Sequence, residues 1–199
     1  MNWSLSRLPI VGAPMAGTGT PELAAAISNA GGLGVFPGGY LTGDKLAEGV
    51  ARVRELTDRP FGVNLFVPTP VDEQRDSARL RSYAEALAPL ATSADVQLPE
   101  PRWDGSDNFA AKVDVLEQSP VAVVSFIFGP PPVDVVLRLH TVGTKVLATV
   151  TDAGRREQPS LRAPTCSACK APMPGVTAAP TSPRSSPTAP AGVTCCPRC

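Results

Sequence analysis

The sequence has no net charge at neutral pH, with 18 Lys and Arg against 18 Asp and Glu in 199 residues. That balance gives no electrostatic case for a nucleic acid or an anionic membrane surface as partner. No apolar run approaches the roughly 18 residues that a membrane span needs. The opening MNWSLSRLPI lacks the basic start and long apolar core of a secretion signal, so the expected setting is the cytoplasm. Histidine is nearly missing, with His140 alone, and aromatics make up only 5%. G-x-G-x-x-G, the P-loop and G-x-S-x-G are all absent, which removes the usual dinucleotide, phosphate and nucleophile-elbow signatures.

What is present is unevenly spread. All ten aromatic residues lie between Trp3 and Phe128, and all five cysteines between Cys166 and Cys199. Residues 153–199 hold nine prolines, six basic residues and one acid. Subtracting these from the totals leaves 12 basic and 17 acidic residues in 1–152, a net −5 against +5 beyond. Two regions follow: a body, 1–152, able to bury a core, and a Pro/Ala/Cys-rich tail, 153–199. The tail has little apolar material to offset its ordering entropy and is expected to be disordered.

The body alternates short apolar runs with helical patterns. Pro9–Met15, Gly32–Phe36, Phe61–Val67, Val121–Phe128 and Lys145–Val150 are rich in Val, Ile or Phe on consecutive positions, as in strands buried on both faces of a parallel sheet. Thr20-Pro21-Glu22 opens a helix and Gly31-Gly32 closes it. Gly43–Leu56, Val133–Leu139 and the stretch Tyr83–Leu90 add further helices, and Pro99–Asn108 reads as a loop. Repeated strand–helix units predict an α/β domain with right-handed crossovers. Five strands suit either an open doubly wound sheet or part of a barrel of eight.

Polar residues punctuate the strands near their carboxyl ends. Asn64 interrupts FGVNLFV, Ser125 interrupts VVSFIFG, and Thr149 ends the fifth strand. Each could be satisfied by neighbouring backbone alone. Together, on separate strands, they resemble the way a barrel assembles a ligand site at its carboxyl face. Ala13-Pro14-Met15-Ala16-Gly17 ends the first strand with small residues that would let backbone approach a flat ligand, or would merely pack a turn. His140 falls on the helix before the fifth strand, away from that face, and reads as a surface or helix-end residue rather than a general base.

Four blocks, PIVGAPMAG, LAAAISNAGGLGVFPGGYLT, LTDRPFGVNLFVP and VVSFIFGPPP, in that order and spacing, resemble the nitronate monooxygenase family, formerly called 2-nitropropane dioxygenases. Flavin-dependent enoyl-acyl-carrier-protein reductases share the first three blocks, and VVSFIFG favours the nitronate enzymes. The resemblance implies a TIM (β/α)8 barrel, of which about five of eight strands are present, and FMN as cofactor. It implies oxidation of alkyl nitronates by molecular oxygen to a carbonyl compound and nitrite, with the nitronate passing an electron to FMN. Ala13, Pro14 and Met15 would line the flavin through backbone, Asn64 would hydrogen-bond it, and Ser125 and Thr149 are weaker carry-overs.

After the fifth strand the resemblance stops. The family continues with V-Q-G-x-x-A-G-G-H-R-G, whose His is the catalytic base, whereas this chain reads DAGRREQPSLRAPTCSACKAPMPGVTAAP. Back-translating that stretch and regrouping the codons by one base, with G or C at free third positions, lets Pro164–Ala178 read A-D-V-L-C-V-Q-G-A-D-A-G-G-H-R-G. The expectation is therefore a slip of reading frame near residues 151–158 and an out-of-frame tail. No catalytic residue is assigned, and the expected behaviour of the chain is weak or no FMN binding and no turnover. The alternative is a non-enzymatic α/β interaction module with a four-Cys zinc tail. Cys166, Cys169, Cys196 and Cys199 form two C-x-x-C pairs, as in structural zinc sites. Against it, the Pro-rich insert between the pairs has nothing to pack.

Overall fold

The computed structural model describes residues 5–100, 103–150 and 166–169. Helix α1 (Pro21–Asn29) leads to strand β1 (Gly34–Pro37), then α2 (Gly43–Leu56) to β2 (Phe61–Phe66). Two helices, α3 (Glu73–Ser93) and α4 (Phe109–Gln118), precede β3 (Val123–Ile127). Helix α5 (Val133–Thr141) leads to β4 (Lys145–Val150), and β5 (Cys166–Cys169) follows. Thr20 and Thr42 start α1 and α2, their hydroxyls accepting the amides of Leu23 and Lys45.

All five strands are parallel and lie in sequence order, β1-β2-β3-β4-β5. This order decides between the two architectures left open by strand count. Right-handed crossovers between successive neighbours place α1, α2, α4 and α5 on the same side, whereas a doubly wound sheet must reverse its order to cover both faces. One core contains Ala24 of α1, Val50 of α2, Val113 of α4 and Val136 of α5 with Phe36, Val63, Val124 and Val146 of the sheet. The alternate strand positions face the other way, where Leu33, Val35 and Val123 form a separate small cluster. The fold is a partial (β/α) barrel, and that second face is its lumen.

Small residues set the close contacts of the outer layer. A Cβ on Gly34 would stand 1.8 Å from the Ala24 carbonyl oxygen, so α1 lies directly on the β1 backbone. Ser28 ties three elements at the amino ends of the strands: its hydroxyl donates to Pro60 O (2.9 Å) and accepts the Gly34 amide (3.0 Å).

The structure departs from the sequence reading in four places. Pro9–Met15 runs along the β1 edge but forms only an isolated parallel bridge, Val11 with Leu33. Gly12 N donates to Leu33 O and Leu33 N to Ile10 O. Pro9 and Pro14 have no N–H to extend the ladder. Helix α4 has no strong starting signal: it begins from Asn108 at a φ of 53°, without a side-chain cap. Helix α3 is longer than Tyr83–Leu90 because Asp72 caps it at Arg75 N, and none of its residues is buried. Finally, the tail expected to be disordered supplies β5, whose backbone pairs with β4 from Leu147–Cys166 to Val150–Cys169. Backbone pairing asks little of side-chain identity, and an exposed β4 edge would template it. The remaining tail lies outside the described residues.

The α4 start is held by charge. Lys112 Nζ donates to Asp107 Oδ2 at 2.7 Å, with the lysine side chain 1% exposed and the aspartate 20%. Asp107 Oδ1 accepts the Tyr40 amide at 3.0 Å, joining the loop after β1 to the loop before α4. Asp107→Ala strands a buried ammonium and is expected to cost about 3 kcal/mol in urea unfolding. Lys112→Met removes the charge with its cost and should lose less than about 1.5 kcal/mol. Equal losses would mean that the pair is not desolvated.

Candidate functional site

The lumen face is layered by the strand register. The lowest row is Val35, Gly62, Val123 and Lys145, and the next inward row is Pro37, Asn64, Ser125 and Leu147. One further step toward the carboxyl ends brings Phe66 beside Ile127, with Thr149 next along β4. Inward side chains stacked in successive levels are how barrel interiors fill. Here they form the floor of a groove of about 520 Å³, edged by Ala13 and Pro14 of the extended segment along β1.

Asn64 is the polar centre of that floor and is 8% exposed. Its Nδ2 donates to Ser125 Oγ at 2.9 Å and to Ser125 O at 3.2 Å. A carbonyl oxygen can only accept, so this contact fixes which end of the carboxamide is nitrogen. Asn64 Oδ1 then faces the groove with no donor among the described residues. The Ser125 hydroxyl, already an acceptor, keeps its proton free to donate. The backbone here is committed elsewhere, since Asn64 O accepts the Gly38 amide at 2.8 Å. An amide oxygen that faces a groove with no donor among the described residues is placed to take a hydrogen bond from whatever fills the groove, which makes Asn64 a candidate binding residue.

The structure thus gathers five of the sequence-identified residues, Ala13, Pro14, Asn64, Ser125 and Thr149, on one groove. Met15 stands just beyond it, 45% exposed, its carbonyl accepting the amides of Thr18 and Gly19 to close a turn. His140 sits in the last turn of α5, half-buried at the amino-end side of the sheet. The Cys166 and Cys169 side chains, and Cys196 and Cys199 entirely, lie outside the described residues.

Sequence reasoning missed the rim above the groove. Phe66 contacts Tyr40 edge-on at 5.1 Å and Phe128 at 5.0 Å. Phe66 also lies over Gly39, where any Cβ would come within 2.3 Å of the ring. The available signal was positional: Tyr40 follows Gly38-Gly39 after β1, and Phe128 precedes Gly129 after β3.

A parallel β/α barrel with a small-residue edge and a polar lumen row at the carboxyl half is a ligand-binding enzyme scaffold by its geometry. The nitronate monooxygenase family matches residues 2–158, and the chain belongs to that family. It is 43% identical over 150 residues to a nitronate monooxygenase of Pseudomonas aeruginosa, covering 72% of this chain and 41% of that protein. A probable nitronate monooxygenase of Staphylococcus saprophyticus is 35% identical over 145 residues, covering 73% and 40%. Among solved structures, a nitroalkane oxidase from Streptomyces ansochromogenes superposes with a TM-score of 0.70 at 43% identity, over 76% of this chain and 42% of that one. FabK from Thermotoga maritima gives a TM-score of 0.53 at 29% identity, over 75% and 36%. The chain spans about two-fifths of the length of the curated relatives it matches.

An unsatisfied acceptor costs little to remove. Asn64→Leu is expected to change stability by less than about 1 kcal/mol, because it discards the orphaned oxygen along with the Ser125 bonds. Asn64→Asp sets a carboxylate against the Ser125 carbonyl and should cost about 2–4 kcal/mol at pH 7. Thermal unfolding of both variants decides it, and a large loss in the leucine variant would make Asn64 a structural residue.

Proposed function

We propose that these residues form the flavin-cradling part of an FMN-dependent oxidoreductase that oxidises alkyl nitronates with molecular oxygen. The observation that carries this reading is Asn64 Oδ1, an acceptor with no donor among the described residues, open to the groove beside the Ser125 hydroxyl. The donor set fits a flavin ring, which presents an N–H edge between carbonyl acceptors. Asn64 would accept from the ring N–H, and Ser125 and Thr149 would donate to ring acceptors. Ala13 and Pro14 offer a wall without long side chains, against which a flat ring can lie. FMN, when bound, supplies the electron acceptor through which a nitronate and oxygen yield a carbonyl compound and nitrite. The protein's share is to orient the ring, to exclude water from the groove, and to hold the nitronate over it.

Two parts of such an enzyme are not found among the described residues. In barrels of this kind the phosphate site is built by the loops after strands seven and eight, and no histidine stands at the carboxyl face. The expected behaviour of these 199 residues alone is weak flavin binding that depends on the ring, with no turnover. Riboflavin and FMN should therefore quench with affinities within about twofold, and no nitrite should form from an alkyl nitronate. FMN binding tenfold or more tighter than riboflavin, or stoichiometric flavin with nitrite release, would overturn this. Steady NAD(P)H consumption would point instead to the enoyl reductase alternative.

The end of the family match at residue 158 supports a slip of reading frame in 151–158, with the cysteine pairs beyond it accidental. The gene's nucleotide sequence tests this: the shifted frame should read through A-G-G-H-R-G and onward. Its closure within a few codons would favour genuine tail coding and revive the zinc alternative.

A further inference from the structure

Helix α3 stands apart from the other helices. Its 21 residues make it the longest among the described residues, about 31 Å at 1.5 Å per residue. Unlike α1, α2, α4 and α5, it places no side chain in the core and buries none. A helix takes most of its stability from packing an apolar face, and α3 carries two apolar lines that its own chain leaves open. Leu80, Ala84 and Leu87 are half-buried and floor a hollow of about 740 Å³ against Leu98 and Trp103. Tyr83, Ala86 and Leu90 form a second stripe at helical spacing. That stripe is exposed, the tyrosine at 62% and the leucine at 65%.

The order of the stripe says what covers it. Its smallest member stands in the middle, with a large side chain at either end. Turned end for end it reads Leu90, Ala86, Tyr83, so a second α3 related by a twofold axis is complementary to the first. Ala86 then meets Ala86 of the second copy, where the backbones come closest, and Tyr83 lies beside Leu90 of the second copy. Because Tyr83 also edges the hollow, that leucine reaches apolar surface beyond the stripe.

Charge follows the same symmetry. Residues 72–85 carry every charged side chain of α3 and its cap, and residues 86–93 carry none. In an antiparallel pair the charged half of each helix faces the neutral half of the other. Arg79 comes level with Ala94 at the other helix's carboxyl end, where the dipole and Asp95 favour a cation. A parallel pair would instead set Arg79 against Arg79 and Glu85 against Glu85. One helix pair falls short of the roughly 1,200 Å² of a standard interface, so the expected affinity is micromolar.

We propose that two copies of this chain associate through α3, antiparallel and crossing at Ala86. The proposal is independent of the flavin reading.

Sedimentation equilibrium of this chain under reducing conditions, across the micromolar range, tests it. The expected result is a reversible monomer–dimer equilibrium. Ala86→Arg puts a charge at the crossing and should weaken the dimer at least about tenfold. Arginine is a good helix former, so the circular dichroism of this variant should match the parent. Two double variants test the direction of pairing after the same loss of apolar surface. Tyr83→Lys with Leu90→Glu sets opposite charges together in the antiparallel pair, and Tyr83→Lys with Leu90→Lys sets like charges together. The first should dimerise about fivefold or more tightly than the second. A chain that stays monomeric throughout would overturn the proposal and leave α3 to a different partner. A dimer indifferent to Ala86→Arg, or equal affinities for the two double variants, would overturn it as well.

Discussion

Sequential parallel pairing is the constraint on which the rest of the structure depends. Because each strand lies beside its predecessor and each crossover is right-handed, α1, α2, α4 and α5 share one side of the sheet and build one core with it. The opposite face receives no helix among the described residues. It is left as a curved lumen wall with a small apolar cluster at its base and a polar row above. Asn64, Ser125 and Thr149 lie on that wall, with Ala13 and Pro14 at its edge, which is the division between a stabilising outer layer and a chemical inner one expected of a barrel.

The same constraint explains how stability and function are separated. The outer face is satisfied: Ser28 clasps α1 to the strand starts, and Gly34 lets that helix touch the sheet backbone. The inner and upper parts are not. Asn64 turns an acceptor into the groove with no donor among the described residues, and Tyr40 and Phe128 keep exposed rings on strained backbone. Natural proteins tolerate such local costs where a ligand recovers them. Lys112 and Asp107 join the two regimes, a buried ion pair of the outer layer that fixes a loop of the rim.

Much of this was legible in the sequence because it rests on local pattern. Lys145–Val150 and Gly43–Leu56 match their elements residue for residue, since apolar runs and Thr caps are short-range signals. Asn64 and Ser125 stood out as polar residues inside apolar strands, though only the register shows that they are partners on adjacent strands. What could not be read depends on tertiary placement. The segment around Val11 has a strand-like composition, but its prolines deny it a ladder. Helix α4 starts from left-handed residues with no cap to announce it. The rim aromatics come from three loops and strand ends far apart in sequence, and nothing local marks them as neighbours.

The account turns on Asn64 Oδ1 being kept open for a flavin ring. Titration of this chain and its Asn64→Leu variant with riboflavin, followed by flavin fluorescence, tests that most directly. The account predicts weak saturable binding that falls about tenfold in the variant, the value of one lost hydrogen bond from a buried partner, while the variant stays folded. Equal affinity in both chains, or no binding at saturating riboflavin, would contradict it.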